Sequence, residues 1–171
     1  RLKSLGVVDQ DTLCAGWLQD ILEYTDTSFD ELFEKFGRKI STLILSLTKT
    51  KLVIDTSDDS TLSLTKKRTV SKKQRQKEYG IKIKESEMDV KLIKLCDIST
   101  NLGNLKNQVI SKTKKRRILK ELRYYIIIIE KDLMQNTRYP KAKILLENIN
   151  ENIKIQTQNM NKNKKIKSKQ A

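Results

Sequence analysis

The sequence predicts an all-α fold, a helical bundle, on three observations. Apolar residues recur at spacings of three and four along most of the chain, as the buried face of a helix requires. The 171 residues include one Pro and five Gly, the residues that interrupt helices most strongly. No segment shows a convincing alternation of apolar and polar residues with the period of two that is typical of a strand.

The N-terminal part predicts a helix over residues 11–24 and two shorter ones after it. The apolar set of the first helix is Leu13, Trp17, Leu18, Ile21 and Leu22. Ser28 and Glu31 have the spacing of a capping box and open a helix through Phe36, which Gly37 ends. A further helix over about 38–48 has one apolar face: Ile40, Leu43, Ile44 and Leu47. We expect Leu18, Leu22, Ile44, Leu95 and Ile98 to be buried, and Trp17 to be a core or partner-facing aromatic residue.

The second part begins with residues 49–65, whose Thr, Ser and Asp content predicts a loop. A second cap at Ser86-Glu-Met-Asp89 starts a helix through about Leu105, and another helix covers roughly 112–136. Pro140 is suited to the first position of a last helix. Its predicted stripe is Ile144, Leu145, Ile149 and Ile153.

These elements predict one helical domain over residues 1–155, followed by an Asn/Lys-rich basic tail over 156–171. After Glu151 the chain has six Lys and no acidic residue. We expect the tail to become ordered only against a partner, because it lacks the apolar surface that offsets ordering entropy.

Charge is unevenly distributed along the chain, whose net charge is +15. Residues 1–63 hold 7 Lys and Arg against 11 Asp and Glu, whereas residues 64–171 hold 29 against 10. Such asymmetry favours a polyanionic partner for the second part, either nucleic acid or an anionic membrane, although a lysine-rich solvated surface is an alternative. The candidate polyanion-binding residues are Lys66, Lys67, Arg68, Lys72, Lys73, Arg75, Lys114, Lys115, Arg116 and Arg117.

Composition also argues against some classes of site. Cys14 and Cys96 are the only cysteines and the chain has no histidine, so a structural zinc site is excluded and buried free thiols are predicted. The longest apolar run, residues 124–129, is far shorter than a membrane-spanning helix. No signal peptide is visible. The chain begins with Arg1, so we expect it to be part of a longer protein.

Two blocks of sequence carry a family resemblance. The first runs from Gly6 through Gly37 and includes Gln19-Asp20 and Glu23-Tyr24, and the second runs from Val90 through Leu102. Together they resemble the HD-type hydrolase domain of the RelA/SpoT superfamily, most of all the small alarmone hydrolases. The resemblance covers roughly residues 5–155 and implies an HD-domain helical bundle, here without its N-terminal helices.

The resemblance also implies a set of site residues. In that family a histidine on an earlier helix, a His-Asp pair and a distal aspartate hold manganese, and a Glu-Asp pair activates water that cleaves the 3′-pyrophosphate of (p)ppGpp. Asp20 matches the aspartate of the pair and Asp97 the distal metal ligand. Glu23 matches the catalytic acid, and Asn101 matches a residue that supports the nucleotide site. The earlier histidine would lie upstream of Arg1.

Two positions depart from the family pattern. Gln19 replaces the histidine of the metal-binding pair, and Tyr24 replaces the second acid. A neutral amide oxygen is a weak ligand for a transition metal, and a loosely held metal is a poor generator of hydroxide. Asp20, Glu23, Asp97 and Asn101 are therefore expected to be vestigial, with structural roles within the bundle.

Three functions are compatible with these features. The first is a pseudo-hydrolase without cofactor, reused as a binding subunit whose basic face contacts RNA or a large assembly. An organellar ribosome, and hence a mitochondrial location, would suit that interpretation. The second is a surviving manganese-dependent (p)ppGpp 3′-pyrophosphohydrolase or nucleotide phosphohydrolase that uses Asp20, Glu23 and Asp97. The third is a sensor that binds a nucleotide without cleaving it.

Overall fold

The computed structural model describes residues 1–49 and 72–167, with side chains described through residue 160. These residues form helices, and no strand occurs among them, so the predicted all-α class is confirmed. In chain order the helices are α1 (Leu2–Leu5), α2 (Gln10–Leu18), α3 (Ile21–Tyr24), α4 (Phe29–Leu47), α5 (Lys72–Glu85), α6 (Met88–Asn107), α7 (Lys112–Gln135) and α8 (Pro140–Lys167). No helix in the described part of the chain has the length and apolar character needed to cross a bilayer.

Helix α6 is the centre of the bundle. It packs against α1, α2, α4, α5, α7 and α8. Most of its residues from Val90 to Ile98 are buried, including Lys91 and Lys94. A helix that is buried all round, rather than along one stripe, is typical of a bundle core. The second sequence block that carries the family resemblance is therefore the innermost element of the fold.

Three predicted features of helix boundaries are confirmed. Ser28 Oγ accepts a hydrogen bond from Glu31 N at 3.2 Å, and the Glu31 carboxylate accepts one from Ser28 N at 2.7 Å, which completes the capping box. Gly37 has a φ of 77° and interrupts α4, as its position between two helical patterns predicts. Pro140 is the first residue of α8.

The predicted helix over residues 11–24 is instead two helices. Asp20 lies between α2 and α3 with φ −98° and ψ −2°, in the sparsely allowed bridge region, and this turn interrupts the helical hydrogen bonds. Leu18 and Leu22 pack against the core but are only half-buried, whereas Ile44, Leu95 and Ile98 are fully buried as predicted. Trp17 is 89% exposed and therefore does not belong to the core.

The structure also differs from the helix cap predicted at Ser86. Glu87, not Ser86, is the N-cap residue of α6, and its side chain makes no capping hydrogen bond. Ser86 Oγ instead donates to the carbonyl oxygen of Lys82 at 2.6 Å, at the end of α5. The short connection between the two helices makes Ser86 part of the preceding helix end.

Helix α8 crosses the predicted boundary between the domain and its tail at residue 155. It continues to Lys167, whereas the sequence predicts an unordered tail from residue 156. The buried face of α8 consists of Ala142, Leu146, Ile149, Ile153, Gln156 and Met160. Because Gln156 and Met160 extend this spacing of three and four, they keep the helix against the bundle beyond the last aliphatic residue that sequence periodicity identified. Ile144, assigned to the buried stripe from sequence, is exposed.

The N-cap of α2 leads to a prediction about the stability of the fold. The Asp9 carboxylate accepts hydrogen bonds from Thr12 N at 2.9 Å and Thr12 Oγ1 at 2.6 Å, and it pairs with Lys39 Nζ at 2.9 Å. The Thr12 hydroxyl and then Lys39 lower the pKa of Asp9 to about 2. Asp9→Ala should reduce the free energy of unfolding by about 1 kcal/mol, since it removes the cap.

The matched control is Asp11→Ala, which removes an acid that also lies near Lys39 but caps no helix. Because the folded-state pKa of Asp9 is lowered, its contribution is present above the unfolded value near 3.8 and is lost as pH falls through about 2. Urea unfolding at several pH values measures both effects. Equal losses for Asp9→Ala and Asp11→Ala at neutral pH would contradict the capping role.

Candidate functional site

A pocket of about 310 Å³ opens where the α2–α3 turn meets the end of α4 and the sides of α5, α6 and α7. The six residues singled out by the family pattern all line it, namely Gln19, Asp20, Glu23, Tyr24, Asp97 and Asn101. They come from the two sequence blocks, and the residues of one block lie more than 70 positions from those of the other; the packing of α2 against α6 brings them together. The structure therefore assembles the predicted site residues in one cavity.

Asp97 is held by its own helix. Its Oδ2 accepts a hydrogen bond from Lys94 Nζ at 2.8 Å, and its Oδ1 accepts one from Asn101 Nδ2 at 2.7 Å. Lys94 is 8% exposed, so its ammonium needs a paired acceptor in place of water. The carboxylate that matches a metal ligand is thus engaged by a buried cation and an amide.

Asp20 lies on the α2–α3 turn opposite Asp97. Although it is the N-cap residue of α3, its side chain makes no capping hydrogen bond. Partial burial, followed by repulsion from Asp97 and Glu23, raises the pKa of Asp20, while Lys94 and Lys49 act in the other direction. Glu23 is better satisfied, because its Oε1 accepts a hydrogen bond from the backbone N of Lys49 at 2.7 Å. The floor of the pocket therefore concentrates negative charge.

An aromatic and cationic wall faces these acids. Tyr79 on α5 and Tyr125 on α7 meet edge to face, with ring centroids 5.4 Å apart. Lys94 Nζ lies 5.3 Å from the Tyr79 centroid and 5.1 Å from the Tyr125 centroid, and Lys49 Nζ lies 5.6 and 5.8 Å from the same two rings. All four distances fall in the range of cation–π attraction. The two lysines are thus stabilised between carboxylates and ring faces.

The sequence analysis did not identify the four residues of this wall, Lys49, Tyr79, Lys94 and Tyr125, as site residues. The spacing of three between Lys94 and Asp97 is a usable signal for an ion pair on a helix face. Tyr125 stands in a run that continues with four isoleucines, so the pattern indicates core rather than a site. The meeting of Tyr79 with Tyr125 depends on tertiary packing of α5 against α7, for which the sequence contains no local signal.

The residues present do not fit the manganese site that the family resemblance implies. The candidate donors are two carboxylates and the amide of Gln19, and both oxygens of Asp97 already accept hydrogen bonds. Within residues 1–49 and 72–167, no group of three or more His, Cys, Asp or Glu side chains is arranged to hold a metal ion. The pocket-lining donors of residues 1–49 and 72–167 also include no imidazole or thiolate, the ligands that a transition metal prefers.

The candidate polyanion-binding residues divide into three groups. Lys66, Lys67 and Arg68 lie outside the described residues. Lys72, Lys73 and Arg75 are exposed in the first turns of α5, and Lys114, Lys115, Arg116 and Arg117 occupy the first turns of α7. Lys72 and Arg75 share a cavity with Glu121 and Tyr125 of α7, so the N-terminal part of α5 lies beside the N-terminal half of α7. The two described groups therefore belong to neighbouring helices.

Comparison with known proteins supports the fold. Residues 1–124 match the family described as HD domain. A stretch of 49 residues, 29% of this chain, is 41% identical to a guanosine-3′,5′-bis(diphosphate) 3′-pyrophosphohydrolase of Aquifex aeolicus (strain VF5) and covers 7% of that protein. The chain thus matches only a small part of that relative's length.

A solved structure shows the same fold over most of the chain. It belongs to a metazoan ortholog of SpoT that hydrolyzes ppGpp and plays a role in starvation responses. The likeness has a TM-score of 0.64 and covers 86% of this chain and 72% of that chain, with 19% sequence identity. At this identity the likeness bears on the fold alone.

The raised pKa of Asp20 leads to a stability prediction. For an acid whose folded-state pKa is raised, ionisation weakens the fold as pH rises above the unfolded value of 3.8. Asp20→Asn should therefore raise the melting temperature at pH 7, since it removes a partly buried charge without removing a capping hydrogen bond. The gain should shrink as pH falls towards 4 and below, where Asp20 is protonated in the wild type as well.

The matched control is Glu23→Gln. This substitution removes a charge from the same pocket but weakens the acceptor of the Lys49 N–H, so it should lower the melting temperature or leave it unchanged. Thermal melts followed by circular dichroism between pH 3 and pH 8 check both variants. A lower melting temperature for Asp20→Asn at pH 7 would show that Asp20 stabilises the fold as a carboxylate.

Proposed function

The chain belongs to the HD-domain family and has the fold of RelA/SpoT-type hydrolases, and on that premise we propose that it is a catalytically inactive member that acts by binding a polyanion. Its partner is RNA, within a large ribonucleoprotein assembly such as an organellar ribosome. The observation that carries the inactivity is the state of Asp97, which is occupied by Lys94 and Asn101 in a pocket where Gln19 replaces the paired histidine.

Hydrolysis of a pyrophosphate needs a firmly bound metal ion, and the residues of this pocket are poor ligands for one. Cleavage of a pyrophosphate in this family requires a metal-activated water, which in turn requires a firmly held cation. The ion pair between Lys94 and Asp97 competes with a metal for the same carboxylate, because freeing Asp97 would leave a buried ammonium without its partner. Breaking a buried pair of this kind costs about 3–5 kcal/mol. Weak ligands such as the Gln19 amide would have to offset that loss.

The basic helix ends support the binding role. Helices α5 and α7 have no acidic residue in their first turns, although the N-terminus of a helix favours negative charge. Basic residues there are unfavourable by roughly 0.3–1 kcal/mol each at low ionic strength by the same principle. A bound polyanion would convert this repulsion into attraction and would release the counterions condensed on its phosphates.

The second candidate function is manganese-dependent hydrolysis of a nucleotide pyrophosphate, as in active hydrolases of the family. The similarity to a guanosine-3′,5′-bis(diphosphate) 3′-pyrophosphohydrolase and the convergence of Asp20, Glu23 and Asp97 in one pocket favour it. In that case Asp20 and Asp97 would bind manganese and Glu23 would position water. The two candidates differ in one measurable property, which is metal-dependent turnover.

The first test is therefore a hydrolysis assay. With manganese and guanosine 3′,5′-bis(diphosphate), the unmodified chain should release no pyrophosphate above the buffer background, because Gln19 and the Lys94–Asp97 pair leave no firm metal site. An active pyrophosphohydrolase serves as positive control, and Asp20→Asn as the matched variant. Turnover that requires manganese, and that Asp20→Asn abolishes, would establish the hydrolase instead.

The second test concerns the basic face. Replacing Lys114, Lys115 and Arg117 by Ala should weaken RNA binding and reduce the steepness of its salt dependence by up to about 2, since each phosphate contact on a single strand contributes about 0.7. Alanine favours helix, so α7 should remain folded. Fluorescence anisotropy with a labelled single-stranded RNA over a range of salt concentrations measures both quantities.

The matched control removes three positive charges elsewhere, at Lys131, Lys141 and Lys143. These residues belong to the end of α7 and the start of α8, and their exposure resembles that of the first set. The control should lose less affinity than the α7 variant. Equal losses would mean that RNA responds to net charge alone, and the proposed face would then have no special role.

A further inference from the structure

All three phenylalanines of the chain lie in the part of α4 that precedes Gly37. Phe29, Phe33 and Phe36 have the spacing i, i+4 and i+7, which places them on one face of the helix. Phe33 is 46% exposed and Phe36 is also exposed, and the ring centroids of Phe29 and Phe33 lie 6.3 Å apart. We call this surface the α4 aromatic face. Large apolar side chains that cluster on a surface mark a contact with another molecule, whereas single exposed ones do not.

Two acids border the α4 aromatic face. Asp30 and Glu34 are exposed and lie four residues apart, on the side of Phe33 that faces away from buried Leu32. Within the part of the chain that the structure describes, neither acid forms an ion pair. A molecule that covers this face must therefore be apolar in its centre and positively charged beside it, because acids brought next to Asp30 and Glu34 would be repelled.

The outward side of α7 has the complementary character. Ile127 is 62% exposed, and Met134, which is also exposed, lies seven residues further along the same helix face. Arg123 and Lys131 are exposed and lie four residues before and four residues after Ile127. These four residues form what we call the α7 outer face. It combines apolar side chains with cations, and none of the α7 residues of the proposed RNA contact belongs to it.

We propose that the α4 aromatic face of one copy of this chain packs on the α7 outer face of a second copy. The charges favour this pairing over the two symmetric ones. Two α4 aromatic faces would bring Asp30 and Glu34 of both copies together, and two α7 outer faces would do the same with Arg123 and Lys131. In the mixed pairing, acids meet cations and apolar side chains meet apolar side chains. The proposal depends neither on RNA binding nor on the loss of catalysis.

Both faces are open in the same molecule, and this determines the kind of assembly. Helix α4 packs on α2, α3, α5 and α6, whereas α7 packs on α5, α6 and α8, and the residues of the two faces remain exposed. Each copy therefore presents one face of each kind, and association through them is head to tail. Such a contact produces a growing chain of copies unless its rotation closes a ring.

The size of the two faces limits the strength of the contact. The α4 aromatic face spans about two helical turns and the α7 outer face about three. Aromatic side chains bury about 150–250 Å² each and provide the anchors. The total is at the low end of specific interfaces, below about 1,200 Å². We therefore expect weak association that rises with protein concentration and falls as salt screens the facing charges.

The experiment follows the mass of the full chain by sedimentation velocity over a range of protein concentrations, after nuclease treatment has removed RNA. The wild type should grow from monomer to dimer and to larger species as its concentration rises, and added sodium chloride should return it towards monomer. A mass that stays monomeric at every soluble concentration in low salt would overturn the proposal. Because no RNA is present, the result is independent of the proposed RNA contact.

Two double variants break the two faces separately. Phe33→Ser with Glu34→Lys disables the α4 aromatic face, and Ile127→Ser with Lys131→Glu disables the α7 outer face. Each variant alone should weaken self-association by about tenfold or more, since an apolar anchor is lost and a facing charge is reversed. All four positions are exposed, so thermal melts should resemble those of the wild type. If a melt shows that a double variant is unfolded, its single charge reversal takes its place.

The matched control is Val109→Ser with Lys106→Glu, which changes an exposed apolar residue and an exposed cation outside both faces. It should associate like the wild type. If it is weakened as much as the Ile127→Ser, Lys131→Glu variant, association depends on net charge and surface hydrophobicity alone, and the proposed pairing is wrong.

A mixture of the two double variants tests the pairing directly. Each variant retains the face that the other lacks, so an equimolar mixture should form a dimer of one copy of each and nothing larger, although neither associates by itself. A mixture that remains monomeric would refute the pairing, as would wild-type association of either variant alone.

Discussion

The burial of the N-terminal half of α6, from Val90 to Ile98, is the constraint on which the rest of the structure depends. Two of its lysines are buried with it, and each must find an anion inside the bundle. Lys91 pairs with Asp132 of α7, whereas Lys94 pairs with Asp97 on its own helix and lies against the rings of Tyr79 and Tyr125. An unpaired ammonium in this position would cost several kcal/mol, so Asp97 supplies the partner that the burial of Lys94 requires.

The buried Lys94–Asp97 pair leaves the two sides of the pocket with opposite charge. Because Lys94 neutralises Asp97 only in part, Asp20 remains on a negative floor and has a raised pKa. The opposite rim is positive, since Lys49 reaches the two tyrosine rings from the side where Lys72 and Arg75 begin α5. The lining of the pocket therefore carries opposite charges on its two sides.

The sequence predicted those parts of the fold that depend on local rules. The capping box at Ser28, the interruption at Gly37 and the start of α8 at Pro140 each follow from the conformational preferences of one or two residues. The break at Asp20 and the continuation of α8 past residue 155 follow from packing, because Gln156 and Met160 are ordered by contact with the bundle and stand among polar neighbours. In the site, the residues of the two family blocks were identified and do share one pocket. Lys49, Lys94, Tyr79 and Tyr125 were not, because their roles arise only when α4, α5, α6 and α7 meet.

The fold and the catalytic chemistry are separable in this chain for a physical reason. The core is made of apolar side chains from all the major helices, and the N-termini of α2, α4 and α7 are capped by Asp9, Ser28 and Ser111. Under the proposed function, Gln19 in place of the family's histidine would remove a metal ligand without removing a contact of this core. The charges that line the pocket then determine what it can bind, and they combine Asp97, which is paired with Lys94, with Lys49, which lies against the rings of Tyr79 and Tyr125. Lys49 and Tyr125 also line the cavity between α5 and α7, which places the pocket next to the basic first turns of those helices.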